Sequence, residues 1–315
     1  MNVKATNKVI KDLPAGENFT SSCNACKQCT PLGACVAFKG IEGVLPLLHG
    51  SQGCATYIRR YLISHYREPM DIASSNFSEE TTIFGGNKNF NTGIDNIISQ
   101  YHPAIIAIAS TCLSETIGED VQRLINEYKC IHSECNELPE MVYASTPSYS
   151  GTHYEGFHEA VFATVKALAT NTTANDRHIN LFSNFISPAD IRHLKEILAD
   201  YGMDFMLFPD YSDTLDSTSW ENYQRIPSGG TTIEDLRRSG SAMMSVELGY
   251  ILNSGNKNQI SAGEYLQELI ALEPFQDGFM SSSFPDEGRV MGNGEAAMEL
   301  MGQFAVSNQA ANSES

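Results

Sequence analysis

Apolar positions along this chain fall into two alternations of continuous hydrophobic runs and one-faced amphipathic segments. That pattern belongs to strands buried on both faces of a parallel sheet, with helices packed against them. In the first alternation, His102-Pro103 leads into the apolar run Ala104 to Ala109, which predicts a buried strand ending at Ser110-Thr111-Cys112. Gly118 then opens a helix over Glu119 to Tyr128, with Val121, Leu124 and Ile125 on one face. A strand at Met141-Val142-Tyr143, a loop from Ser145 to Gly156 and a helix from Phe157 to Ala169 complete the unit.

The polar string Thr170 to Arg177 reads as a linker. Beyond it the pattern predicts a strand at Ile179 to Phe182 and a helix that starts with Ser187 as N-cap and Pro188 at its first position. That helix runs to Tyr201, where Gly202 supplies a C-terminal cap. A strand at Asp204 to Phe208, a helix at Thr232 to Arg238, a strand near Ala242 to Leu248 and a helix near Ala262 to Leu272 follow. The expected organisation is an N-terminal extension over 1–20, a cysteine-bearing α/β domain over 21–175, a second α/β domain over 176–275 and a weakly structured tail over 276–315.

Composition narrows the function. The chain has 315 residues, with 20 Lys and Arg against 38 Asp and Glu, for a formal charge of −18. A surface so short of cations argues against nucleic acid as a partner, since phosphate binding needs clustered Lys and Arg. The N-terminus carries no apolar core of signal-peptide length, and Ala104 to Ala109 falls far short of the ~20 residues that span a bilayer. A cytoplasmic protein without membrane contact is expected. In that reducing compartment its eight cysteines point to metal ligation or catalysis before disulfides.

Cys23, Cys26 and Cys29 form C-x2-C-x2-C, a spacing that lets thiolates converge on a soft metal. The bacterial ferredoxin run needs a fourth cysteine where this chain has Gly33, and no second Cys or His pair follows at zinc-finger spacing. Placement says more than spacing. Cys29 precedes Pro31-Leu32-Gly33-Ala34, Cys54 ends a loop His49-Gly50-Ser51-Gln52-Gly53, and Cys112 lies just past the carboxyl end of a buried strand. Ligands of open α/β sheets bind at that end. Three loops meeting there offer three thiolates, one short of the four usual for a simple cluster, so a partner chain would complete the site.

Specific motifs extend this reading. Cys29-Thr30-Pro31-Leu32-Gly33-Ala34, His49 to Cys54, His65-Tyr66-Arg67-Glu68-Pro69, Phe84-Gly85-Gly86 and Thr111 to Gly118 resemble motifs of the nitrogenase component 1 family. Thr146-Pro147-Ser148 and Gly151-Thr152-His153 also resemble that family's segment at its cluster. The runs Ile72 to Glu79 and Leu207 to Asp213 resemble the family's iron-molybdenum cofactor scaffold branch, the N-type chains, more than its catalytic β chains. The resemblance implies Rossmann-like parallel-sheet domains and a heterotetramer with an E-type scaffold subunit. It also implies an iron–sulfur cluster, 4Fe-4S or larger, at the subunit interface, and a cofactor precursor held transiently in the partner chain. An iron-protein reductase would serve as electron donor.

On the same resemblance Cys54 would reach the interface cluster. Cys29 and Cys112 match positions that the catalytic β chain uses, and Ser148 matches an additional serine contact. Family members continue into a third α/β domain that nothing after residue 273 resembles, so a short or truncated form is expected. The rival readings are a catalytic β chain and, further off, a tetrapyrrole reductase subunit.

Blander roles stand beside these. His49 reads as a loop-fixing hydrogen-bond donor, Arg59, Arg60 and Arg67 as ion-pairing or partner contacts, and Glu115 and Glu119 as acidic residues favoured near a helix start. Cys23, Cys26, Cys35, Cys130 and Cys135 read as free or buried thiols.

Overall fold

Val44–His49 and Ile105–Ser110 are buried along their whole length, as strands covered on both faces must be. Their side chains alternate between two cores. Leu45, Leu47, Ile106 and Ile108 pack with Phe90, Ile94 and Ile97 and with Val121, Leu124, Ile125 and Tyr128. Val44, Leu48, Ile105, Ala107 and Ala109 join the other core with Val36, Phe38, Phe157 and Val161.

These contacts belong to a computed structural model that describes residues 28–132, 138–169, 176–217, 224–248 and 260–272. Its elements run α1 (Thr30–Phe38), β1 (Val44–His49), α2 (Gln52–Tyr66), β2 (Ala73–Ser74), α3 (Glu79–Phe84), α4 (Asn87–Tyr101), β3 (Ile105–Ser110), α5 (Cys112–Thr116), α6 (Val121–Ile131) and β4 (Glu140–Ala144). They continue with α7 (His153–Leu168), β5 (Asp176–Phe182), α8 (Pro188–Asp200), β6 (Asp204–Phe208), α9 (Ile233–Arg238), β7 (Ala242–Glu247) and α10 (Ala262–Leu272). One sheet has the order β2-β1-β3-β4 and the other β6-β5-β7, and every pairing between these strands is parallel. Among the described residues no helix is long and apolar enough to cross a membrane.

The predicted strands stand where the apolar runs placed them, while helix starts move to the residues that can cap them. α6 begins after Asp120, whose side chain accepts the Arg123 N–H, and not at Glu119. α7 begins at His153, before the apolar pattern does, because Thr152 and Glu155 form a reciprocal capping box. Ser187 caps α8 as expected, through the Asp190 N–H. The predicted linker falls largely on 170–175, and Cys23, Cys26, Cys135, the extension over 1–20 and the tail over 276–315 also lie outside the described residues.

α1 is buried on every side and ends at Lys39, itself only 2% exposed. Burial pushes the Lys39 amine down from 10.5 to about 8, with Asp71 and Cys35 opposing the shift. The folded chain therefore gives up this proton at lower pH than the unfolded chain. Between about pH 8 and 10.5 the unfolded state holds more of it, so this group's contribution to stability rises with pH. Lys39→Met is expected to stabilise the chain at pH 7 by on the order of 2 kcal/mol, with the gain shrinking toward pH 10. Urea titrations of both proteins at the two pH values read it, and a loss of stability at pH 7 would contradict it.

Candidate functional site

The site is assembled where β1, β3 and β4 end. β1 and β3 are neighbours, with His49 paired to Ser110, so their exits lie side by side. Thr111 closes the gap by donating its N–H and its hydroxyl to the His49 carbonyl, both at 3.2 Å. Gly50 permits that approach, since a Cβ there would lie 2.0 Å from Thr111 Oγ1.

The three candidate thiols leave from helix starts. Cys112 is the first residue of α5, and Cys29 is the N-cap residue of α1. Cys54 lies in the first turn of α2, its N–H donated to the Ser51 carbonyl at 3.2 Å. This corrects the expectation that Cys54 ends a loop: only Gly50 and Ser51 separate strand from helix.

The segment after β4 ties Cys29 to Cys112. Thr30, beside Cys29, donates its hydroxyl toward the Pro147 and Gly151 carbonyls at 3.3 and 3.1 Å. Gln28 on the other side donates its N–H to His153 Nδ1 at 3.3 Å and accepts the His153 N–H at 3.0 Å. In the same segment the Ser148 N–H donates to Cys112 Sγ at 3.2 Å. Ser148 thus meets the sulfur through its backbone.

The three thiols lie within electrostatic reach of one another. Burial pushes the Cys29 thiol up, and the negative charges that Cys54 and Cys112 would carry push it the same way. Cys54, exposed as a residue, is raised by partial burial of its thiol and then by Cys112. Among the described residues no three His, Cys, Asp or Glu side chains stand close enough together to hold one metal ion. Tetrahedral thiolates around a single zinc sit only ~4 Å apart. Thiolate is the ligand type that polynuclear iron–sulfur cores take. A Cβ on Gly53, beside Cys54, would meet nothing within 4 Å, so there is open room next to that thiol. The donor set fits such a group.

Two acidic residues do more than favour a helix dipole. Glu115 accepts hydrogen bonds from the hydroxyls of Ser110, Tyr143 and Ser145. Glu119 accepts the Gly86 N–H at 2.6 Å and stands 3.5 Å from His49 Nε2. His49 is fully buried with its ring perpendicular to those of Phe77 and Phe90, its carbonyl and not its ring binding the Thr111 backbone. Burial lowers its pKa, with Glu119 opposing. Sequence reasoning missed both carboxylates as organisers, because their partners are 28 to 70 positions away except for Ser110. Arg59 pairs with Asp71 at 2.8 Å and donates to the Met70 carbonyl at 2.7 Å, an intrachain role. Cys35 is sealed in the core, and Cys130 is exposed on α6.

A protein with parallel doubly wound sheets and cysteines from three helix starts gathered at the carboxyl edge of one of them is the class so defined. The chain belongs to the nitrogenase component 1 type oxidoreductase family, whose model matches residues 29–272. It is 39% identical over 229 residues to the nitrogenase molybdenum-iron protein β chain of Clostridium pasteurianum, covering 72% of this chain and 49% of that one. It is 32% identical over 265 residues to the nitrogenase iron-molybdenum cofactor biosynthesis protein NifN of Nostoc sp., covering 82% of this chain and 60% of that one. The solved structure of nitrogenase Cp1 at pH 6.5 matches with a TM-score of 0.72 and 33% identity, over 85% of this chain and 61% of its own. The chain spans about half to three fifths of the length of these curated relatives.

Proposed function

We propose that this chain contributes Cys29, Cys54 and Cys112 to an iron–sulfur cluster shared with a partner subunit, as the N-type member of a scaffold complex for iron-molybdenum cofactor biosynthesis. The observation that carries the reading is the convergence of these thiols, from three separate helix starts, at one sheet edge. A cluster held there would supply electron transfer, and a precursor carried by the partner chain would suit a scaffold that turns over no substrate.

Cys54 also heads an outward stripe. Tyr57 and Tyr61 follow it at helical spacing, 61% and 54% exposed, while Ala55, Ile58 and Leu62 face the core. Exposed aromatics next to an under-ligated thiol site suit a subunit contact that would bring the missing donors. The E-type chain is the proposed partner, and Ser148 is the proposed additional contact. The N-type assignment draws on the runs Ile72 to Glu79 and Leu207 to Asp213 and on the NifN relative, matched over 82% of this chain.

A second reading, the β chain of the catalytic component, is favoured by the 39% identity to the Clostridium β chain. Affinity purification under anaerobic conditions separates the two. An E-type scaffold chain is the expected partner, and recovery of a catalytic α chain in its place would overturn the scaffold reading.

A further inference from the structure

One carboxylate on the helix that carries Cys112 also holds the loop that touches its sulfur. Glu115 lies in α5, three positions after Cys112. Its Oε1 alone accepts from Ser110, from Tyr143 at 3.0 Å and from Ser145 at 2.6 Å. Ser110 passes the hold onward, its hydroxyl accepting the Thr146 N–H at 2.8 Å while Thr146 Oγ1 donates to the Ser110 carbonyl at 2.7 Å. Two residues later the Ser148 N–H reaches Cys112 Sγ. The ends of β3 and β4 are therefore pinned to one acceptor, and the segment so pinned delivers a donor to a candidate cluster ligand.

We infer that Glu115 is a positioning residue for the cluster: it clamps residues 145–148 so that the Ser148 N–H stays on the Cys112 sulfur. The inference rests on the proposed cluster role of Cys112. Hydrogen bonds to a ligating sulfur stabilise the more negative, reduced cluster and so raise its potential. Losing Glu115 has two opposed electrostatic consequences. Removing its negative charge raises the potential, while releasing the loop lowers it. Glu115→Gln removes the charge but keeps an acceptor oxygen, whereas Glu115→Ala removes both. The difference between the variants therefore isolates the clamp.

Two readouts test it. In the cluster-free chain, amide hydrogen exchange of a peptide spanning 143–150 is expected to speed up several-fold in Glu115→Ala and much less in Glu115→Gln. In the complex purified anaerobically with its partner, the cluster midpoint potential is expected to lie lower in Glu115→Ala than in Glu115→Gln. Equal exchange or equal potentials in the two variants would overturn the inference. Ser145→Ala, which removes one hydroxyl at an exposed position, gives a milder form of the exchange test should Glu115→Ala not fold. A wild-type complex without iron would instead overturn the cluster role of Cys112, and the exchange comparison would still decide whether Glu115 clamps the loop.

Discussion

Replacing Cys54 by alanine is expected to strip the cluster signal from the anaerobically purified complex, while Cys130→Ala leaves it intact. The two thiols are chemically alike and both exposed, yet they stand in different surroundings. Cys54 opens α2 beside open space and senses the charge of Cys112. Cys130 sits in the last turn of α6, whose buried face is made by Val121, Leu124, Ile125 and Tyr128, so it points away from the sheet edge. Losing a partner one shell out from a metal typically costs about 10–100-fold in affinity, and losing a direct ligand should cost at least that. Iron per complex and low-temperature EPR measure the effect, and similar losses in the two variants would count against Cys54 as a ligand.

The second large effect is expected at the crossing of α1 and α7. A Cβ on Gly33 would lie 1.7 Å from the His153 carbonyl oxygen, and one on Gly156 would lie 1.9 Å from that of Thr30. Both obstacles are backbone, so no side-chain rotation relieves them. Alanine in place of a helical glycine is worth about 1 kcal/mol in helix propensity. Overpacking typically costs about 1–3 kcal/mol and occasionally more, and an approach under 2 Å to backbone puts these sites at the upper end, so the clash wins. Gly33→Ala and Gly156→Ala should each lower stability in urea by a net of about 2 kcal/mol or more, and should displace Cys29 from the other two thiols. Gly53→Ala, inside α2 with a Cβ that meets nothing, should leave the cluster-free chain as stable as the wild type or more stable by up to about 1 kcal/mol. A Gly33→Ala variant as stable as Gly53→Ala would contradict this account of the helix crossing.

That crossing shows where the sequence is easy to read and where it is not. Strands such as Ile105–Ser110 and Asp204–Phe208 declare themselves as apolar runs, because burial on both faces removes any alternation. α1 is invisible to the same logic: every residue from Thr30 to Phe38 is buried, so no polar face marks it as a helix. The start of α2 was hidden for another reason. Two glycines around Cys54 read as loop, although only Gly50 and Ser51 lie between β1 and the helix.

Among site residues the cysteines were legible, since thiols beyond strand ends carry their own chemical signal. Cys29, Cys54 and Cys112 stand at the starts of α1, α2 and α5, and their role as ligands is the proposal made above. Glu115 and Glu119 read from local sequence only as helix-start residues, because nothing nearby gives a carboxylate a more specific role. Their partners Tyr143, Ser145, Gly86 and His49 come from other strands and loops, and only the parallel register of β1, β3 and β4 makes them neighbours. The Ser148 N–H bond to the Cys112 sulfur likewise joins residues 36 positions apart, and local sequence does not announce it.

The function proposed for this chain depends on iron at the edge of the first sheet. The direct measurement is iron and acid-labile sulfide in the complex isolated without oxygen, compared between the wild type and a variant with alanine at Cys29, Cys54 and Cys112. Stoichiometric iron and sulfide in the wild type, lost in the triple variant, is the predicted result. A wild-type complex free of metal or holding zinc alone, or a triple variant that keeps its full iron content, would contradict it.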